Sequence, residues 1–142
     1  MYRIIKRKFK IKYMNREIKF RAWDKKNKIM TYSPINCINF DGQLLLNDGQ
    51  YYDIEKTDYV LMQFTGLLDK NGKEIYEGDI VCWTFNEKQK NQIVYHEGCF
   101  GHLNLTGINK EHSEFIPINK VRAEYMIVCG NIYQNPELLT EK

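Results

Sequence analysis

The chain is 142 residues long, the size of one domain, and 13% of it is aromatic with ten tyrosines, a composition that favours strands over helices. No apolar run approaches the roughly 18 residues of a membrane-spanning helix or the apolar core of a signal peptide, so membrane and export roles are set aside and a cytoplasmic protein is expected. The net charge of +3 is uneven: residues 1–13 hold Arg3, Lys6, Arg7, Lys8, Lys10 and Lys12 with no acid, leaving 15 basic against 18 acidic side chains, a net −3, in residues 14–142.

Along residues 1–13, Lys8, Lys10 and Lys12 alternate with Phe9, Ile11 and Tyr13, which suits an extended basic arm lying on an anionic surface. Met14 can itself serve as a start, so the same residues also read as an upstream extension. Residues 14–142 are expected to form one domain. The first strand is predicted over Arg16–Trp23, with Ile18, Phe20 and Ala22 on a buried face and Glu17, Lys19 and Arg21 on a polar one. Residues 24–28 form a solvated turn and Ile29–Tyr32 the return strand, interrupted at Pro34. Short strands are predicted over Ile35–Phe40 and Leu44–Leu46, and loop or irregular edge over Gln50–Lys56.

The strongest signals lie between Tyr59 and Asn86. A strand over Tyr59–Thr65 runs into Asp69-Lys70-Asn71-Gly72, where Asn-Gly marks a tight reversal because Gly accepts positive φ and Asn tolerates it. Glu74-Ile75-Tyr76 returns, Gly78-Asp79 repeats the turn device, and Asp79–Asn86 is the next strand. The polar segment Glu87–Asn91 reads as a connection to a strand over Gln92–Glu97. Further strands are predicted over Phe100–Leu105, over Phe115–Ile118 with Pro117 near an edge, and over Glu124–Cys129. Gly130-Asn131 ends the last of these, and Asn135-Pro136 opens a short helix through Leu139. No long 3.6-residue periodicity exists. The fold class is therefore mainly β: a small barrel-like domain, or compact sandwich, of short antiparallel strands with a short C-terminal helix.

These segments resemble the YopX family of small bacteriophage and prophage proteins. The resemblance rests on Ile18-Lys19-Phe20-Arg21-Ala22-Trp23-Asp24, on residues 61–67, LMQFTGL, and on residues 69–81, DKNGKEIYEGDIV. Gly130-Asn131-Ile132-Tyr133 with residues 136–139 completes it. It implies a β, barrel-like fold, a phage or prophage origin and a bacterial host cytoplasm. It implies no catalytic residue and no cofactor. Within these motifs Gly66, Gly72, Gly78 and Gly130 suit tight turns or close backbone approach. Asp24, Asp69 and Asp79 suit hydrogen bonds to turn amides, and Asn131 joins Gly130 in the final break. Trp23, Tyr76, Trp83 and Tyr133 suit packing between strands, and Gln63 with Thr65 either supports the strand or forms a polar surface site.

Candidate chemistry is sparse. The four cysteines, Cys37, Cys82, Cys99 and Cys129, form no Cys-x-x-Cys pair and read as small buried or half-buried thiols, with disulfides or a metal as the alternatives. His96, Cys99 and His102, with His112 and Cys82 nearby, are the closest approach to a zinc set, but their spacing matches no standard finger. Cys99 with one of the histidines is likewise the closest approach to a nucleophilic pair, and neither a phosphate loop nor a dinucleotide fingerprint occurs. The expectation is no enzyme, no metal and no cofactor. Binding of an unidentified host or phage protein, or self-association, fits a Tyr-rich β module. The alternative is nucleic-acid contact through the basic residues of 1–13, with Tyr51, Tyr52, Tyr95 and Phe100 available for stacking.

Overall fold

The computed structural model describes residues 17–32, 35–38, 43–46, 49–53, 58–104 and 114–140. In chain order these carry β1 (Phe20–Asp24), β2 (Ile29–Thr31), β3 (Ile35–Ile38), β4 (Gln43–Leu46), β5 (Tyr51–Asp53), β6 (Tyr59–Leu68), β7 (Glu74–Tyr76), β8 (Asp79–Trp83), β9 (Asn86–His96), β10 (Cys99–Asn104), β11 (Ile116–Pro117), the one-turn helix α1 (Lys120–Ala123) and β12 (Met126–Asn131). A 3-10 turn at Pro136–Leu139 closes the described chain, with Pro136 in its first turn. The basic side chains of residues 1–13 and His112 lie outside the described residues.

Three antiparallel sheets result: β2-β1-β6-β7, β11-β10-β9-β8-β12 and the small β3-β4-β5 meander. The protein is mostly β, and one sheet curls into a half-barrel. Pro117 sits on the edge strand β11, where its missing N–H removes no central ladder bond. The Asn71-Gly72 reversal is locked by Asp69. Its Oδ1 accepts the Asn71 and Lys73 amides at 2.8 and 2.9 Å, and its Oδ2 accepts the Val128 amide of β12 at 3.0 Å. One buried carboxylate thus shapes a turn and moors an edge strand. The larger core cluster contains Ile75, Val81, Ile93, Ala123, Met126 and Val128; a smaller one contains Trp23, Met30 and Met62. Each of the Ile, Val and Met side chains among them stabilises the fold by about 1.5–3 kcal/mol on burial.

Four expectations are corrected. The first strand starts at Phe20 and its faces are not apolar and polar as the alternation predicts: Ile18 is 69% exposed whereas Arg21 is 2% exposed. Arg21 is drawn inward by Asp79, itself 1% exposed, whose Oδ1 accepts from Arg21 Nη2 at 2.6 Å. Glu87–Asn91 is not a connection but the first half of β9, paired with β8 through Lys90↔Cys82 and Asn91↔Val81, so the hairpin turns earlier, at Thr84-Phe85. Hairpin pairing needs no apolar side chains on its solvent arm, so polarity alone misplaces the turn. Tyr51–Asp53, read as loop or irregular edge, forms the regular edge strand β5 on β4. Finally, α1 interrupts the approach to β12, which begins at Met126 rather than Glu124. Asn119 caps this helix by accepting the Arg122 amide at 3.0 Å.

The Arg21–Asp79 pair yields a stability prediction. Arg21→Met leaves a buried carboxylate without its counterion and is expected to cost about 3–5 kcal/mol. Combining it with Asp79→Asn, which keeps an acceptor for the Tyr76 amide, is expected to cost less than the sum of the two single changes. Urea unfolding of all four chains closes this double-mutant cycle.

Candidate functional site

Gly78 organises a concavity among the described residues. Its N–H donates to Ile93 O at 2.9 Å and its carbonyl accepts the Ile132 amide at 2.9 Å, so the β7–β8 turn is stitched to β9 on one side and to the segment after β12 on the other. Its φ is +76°, and a Cβ there would stand 3.3 Å from Met62 Sδ, so both backbone and neighbours favour glycine. Around it opens a groove of about 260 Å³ walled by Val60 and Met62 of β6, Val94 and Tyr95 of β9, and Ile132 and Tyr133. Gly130 plays the complementary part in β12. A Cβ on it would meet Asn135 Oδ1 at 2.4 Å, and the same oxygen accepts the Asn131 amide at 3.3 Å. Asn131 Oδ1 accepts the Tyr133 and Gln134 amides at 3.0 and 2.9 Å, which turns Tyr133 onto Trp23 with ring centroids 5.9 Å apart.

Beneath the groove lies the Arg21–Asp79 pair. Arg21 Nη2 also donates to Glu77 O at 3.2 Å, its guanidinium lies 4.6 Å from the Tyr76 ring centroid, and Asp79 Oδ2 accepts the Tyr76 amide at 2.8 Å. Burial pushes the Asp79 carboxyl up while the Arg21 charge pulls it down. Glu77, which lines the groove, accepts the Gln63 amide at its Oε2 at 2.9 Å. The Tyr133 phenol is raised above its usual pKa by burial first and by the Glu77 charge second, so it remains a neutral donor. The Tyr76 phenol, also raised by burial, donates to Glu74 Oε2 at 2.7 Å, and Lys19 pairs with the same carboxylate. The Glu74 carboxyl is lowered by its Lys19 and Tyr76 hydrogen bonds. The groove therefore offers aliphatic side chains, the phenols of Tyr95 and Tyr133, the Gln92 side chain and the Glu77 carboxylate.

The sequence model of the YopX protein family matches residues 19–140. The chain belongs to the YopX family. Its fold is similar to the crystal structure of protein EF1440 from Enterococcus faecalis, at 30% identity over 87% of this chain and 98% of that one, with a TM-score of 0.60. It is also similar to the crystal structure of yopX from Bacillus subtilis, at 21% identity over 87% and 97% of the two chains, with a TM-score of 0.57. A search of the curated proteins finds no match.

Within this YopX fold the residues singled out from sequence separate into groups. Gly78 lines the groove, Trp23 and Asn131 contact its Tyr133, Asp79 pairs with Arg21, and Gly130 packs against Asn135. Asp24 stays at its own turn, where Oδ1 accepts the Lys26 and Asn27 amides at 2.9 Å, and these bonds lower its carboxyl pKa. Asp69 and Gly72 serve the β6–β7 reversal, Gly72 N donating to Asp69 O at 3.0 Å. Thr65 Oγ1 donates to Ile75 O at 2.8 Å, and Gly66 lies where the β6–β7 register shifts. Those hydroxyl and amide groups are spent on the backbone rather than held out for a ligand. His96, Cys99 and His102 do not converge: His96 is exposed and packs on Phe115, whereas His102 is 3% exposed on the opposite face of β10, its ring edge to Trp83 with centroids 5.3 Å apart. Among the described residues no three His, Cys, Asp or Glu side chains are placed to hold a metal.

His102 was legible only as a candidate ligand, yet its environment is that of a buried neutral side chain. Neither ring nitrogen meets a hydrogen-bond partner among the described residues. Burial first, and the Arg122 charge second, lower its pKa from 6.5 to about 4. An unfolded chain takes up that proton near pH 6.5, so as pH falls from about 6.5 to about 4 the unfolded state binds a proton that the folded state refuses. Stability from this group is therefore complete above pH 6.5 and declines across that window by roughly 2–3 kcal/mol. His102→Leu is expected to remove this component, so the difference in unfolding free energy between the two chains should widen on acidification. Parallel urea titrations at several pH values across the window measure it.

Proposed function

We propose that this YopX-family chain is a small non-enzymatic binding protein of phage or prophage origin, acting in the bacterial host cytoplasm by protein–protein contact or assembly. The observation that carries the reading is the groove around Gly78. It is concave, its lining mixes aliphatic side chains with Glu77 and Gln92, and it is bordered by Tyr95 and Tyr133, side chains that give large rigid contact area with a polar tip. Of its polar side chains, Glu77 is held by the Gln63 backbone amide, and the mix of aliphatic and aromatic side chains around it suits docking of a side chain from a partner segment. The partner is a host or phage protein, or a second copy of the chain.

The alternative reading is a nucleic-acid accessory protein. Six cations without an acid in residues 1–13 favour it, although the rest of the chain carries net −3.

Affinity capture from host lysate, with and without nuclease, tests both readings when run with three baits: the full chain, Val94→Asp and a chain starting at Met14. Protein contact through the groove predicts a stoichiometric protein that survives nuclease, is retained by the Met14 chain and is lost from Val94→Asp. Retention that vanishes with nuclease and with residues 1–13 would transfer the function to the basic arm. In that case binding to duplex DNA should weaken with salt by about 0.9 log units per log unit for each phosphate neutralised.

A further inference from the structure

Cys82 and Cys129 lie 47 positions apart, yet their sulfurs stand 2.7 Å from one another. Cys82 lies in β8 opposite Ile127. Cys129 is the residue without a cross-strand partner where the β8–β12 register shifts between Val128 and Gly130. A bulge bends its strand and re-aims the side chain it carries, and here it brings the Cys129 sulfur onto its neighbour in β8. Both thiols also point at one carbonyl, Ile127 O, at 3.8 and 3.4 Å. Closure to a sulfur–sulfur bond of about 2.05 Å needs a movement of well under 1 Å.

We propose that Cys82 and Cys129 form a reversible intramolecular disulfide that clamps the edge strand β12 to β8. The oxidant is a small-molecule disulfide of the glutathione class. Cys129, the half-buried member, gives up its proton and its thiolate attacks one oxidant sulfur, breaking that S–S bond and releasing the first thiol. Cys82 then attacks the Cys129 sulfur of the mixed disulfide and releases the second thiol. The two protons leave with the two thiols, and the two electrons lost by the cysteines reduce the oxidant. Cys82, 4% exposed, has its thiol pushed up to about 12 by burial and by its Cys129 contact. The second step is accordingly the slow one and accelerates with pH. β12 runs directly into Asn131, Ile132 and Tyr133, so the clamp fixes one wall of the Gly78 groove. The disulfide itself stands whatever that groove binds.

Each cysteine falls in its own tryptic peptide, residues 29–56, 74–88, 91–110 and 123–142, which makes the linkage directly readable. The reduced full-length chain is incubated with oxidised glutathione at about pH 8, quenched in acid and alkylated. The expected result is a mass loss of about 2 Da, peptide 74–88 joined to 123–142, and a return to the starting mass with reductant. Thermal melting should shift upward by roughly 5–15 °C in the oxidised chain. Cys129→Ser and Cys82→Ala should each abolish both changes. Because Cys129 is half-buried, its variant alone decides the matter where Cys82→Ala does not fold. A chain that accumulates only a glutathione adduct, or links only through Cys37 or Cys99, within one chain or between two, overturns the proposal.

Discussion

The buried pair of Arg21 and Asp79 is the constraint on which the arrangement of the two larger sheets rests. Arg21 belongs to β1 and Asp79 opens β8, so the contact of 2.6 Å ties the four-stranded sheet to the five-stranded one at a point with almost no solvent. Removing two charges from water costs several kcal/mol per ion, and their attraction offsets this only when the remaining polar atoms are also engaged. Most are: Asp79 takes the Tyr76 amide, and Arg21 reaches Glu77 O and faces the Tyr76 ring. Arg21 Nε has no partner among the described residues. A pair of this kind adds little net stability over an apolar substitute of the same shape. What it supplies is position, because sliding β8 against β1 would leave a charge buried and alone.

From that fixed point the β7–β8 turn acquires its geometry, and Gly78 transmits it. The two backbone bonds of Gly78 run to β9 and to the segment after β12, so the groove walls come from elements far apart in sequence but referenced to one peptide unit. Asp69 performs a similar service in the middle of the edge strand by accepting the Val128 amide. The bulge of β12 begins directly after that mooring, and the residue it leaves without a cross-strand partner is Cys129. That placement turns a local register shift into a close approach of two thiols.

Much of this was legible in the residues. The Asn71-Gly72 turn, the strands around it, the carboxylates of Asp24 and Asp69 at their turns and the C-terminal turn at Pro136 all follow from local chemistry. Arg21 was not legible, because alternation places it among Glu17 and Lys19, and only the counterion in β8 explains why it faces inward. The first half of β9 escaped for a related reason: its pairing energy lies in the backbone ladder, which leaves no trace in side-chain polarity. The groove combines β6, the β7–β8 turn, β9 and the segment after β12, and no spacing rule joins those segments. The thiol pair was hidden by separation along the chain: Cys129 shares a face with Ile127, and only the pairing of Ile127 with Cys82 brings that face beside Cys82.

The titratable groups near the centre of the molecule share a direction that bears on function. Burial raises the phenols of Tyr76 and Tyr133, raises the Cys82 thiol and the Asp79 carboxyl, and lowers the His102 imidazole, in every case toward the uncharged form. An acid–base catalyst needs a group poised near the working pH, and a cysteine nucleophile needs its thiolate favoured; here the environment acts the other way. A thiol held protonated is also protected from indiscriminate oxidation, so Cys82 waits until Cys129, the more exposed partner, has reacted. On this argument the burial that weighs against catalysis is also what orders the two steps of disulfide closure.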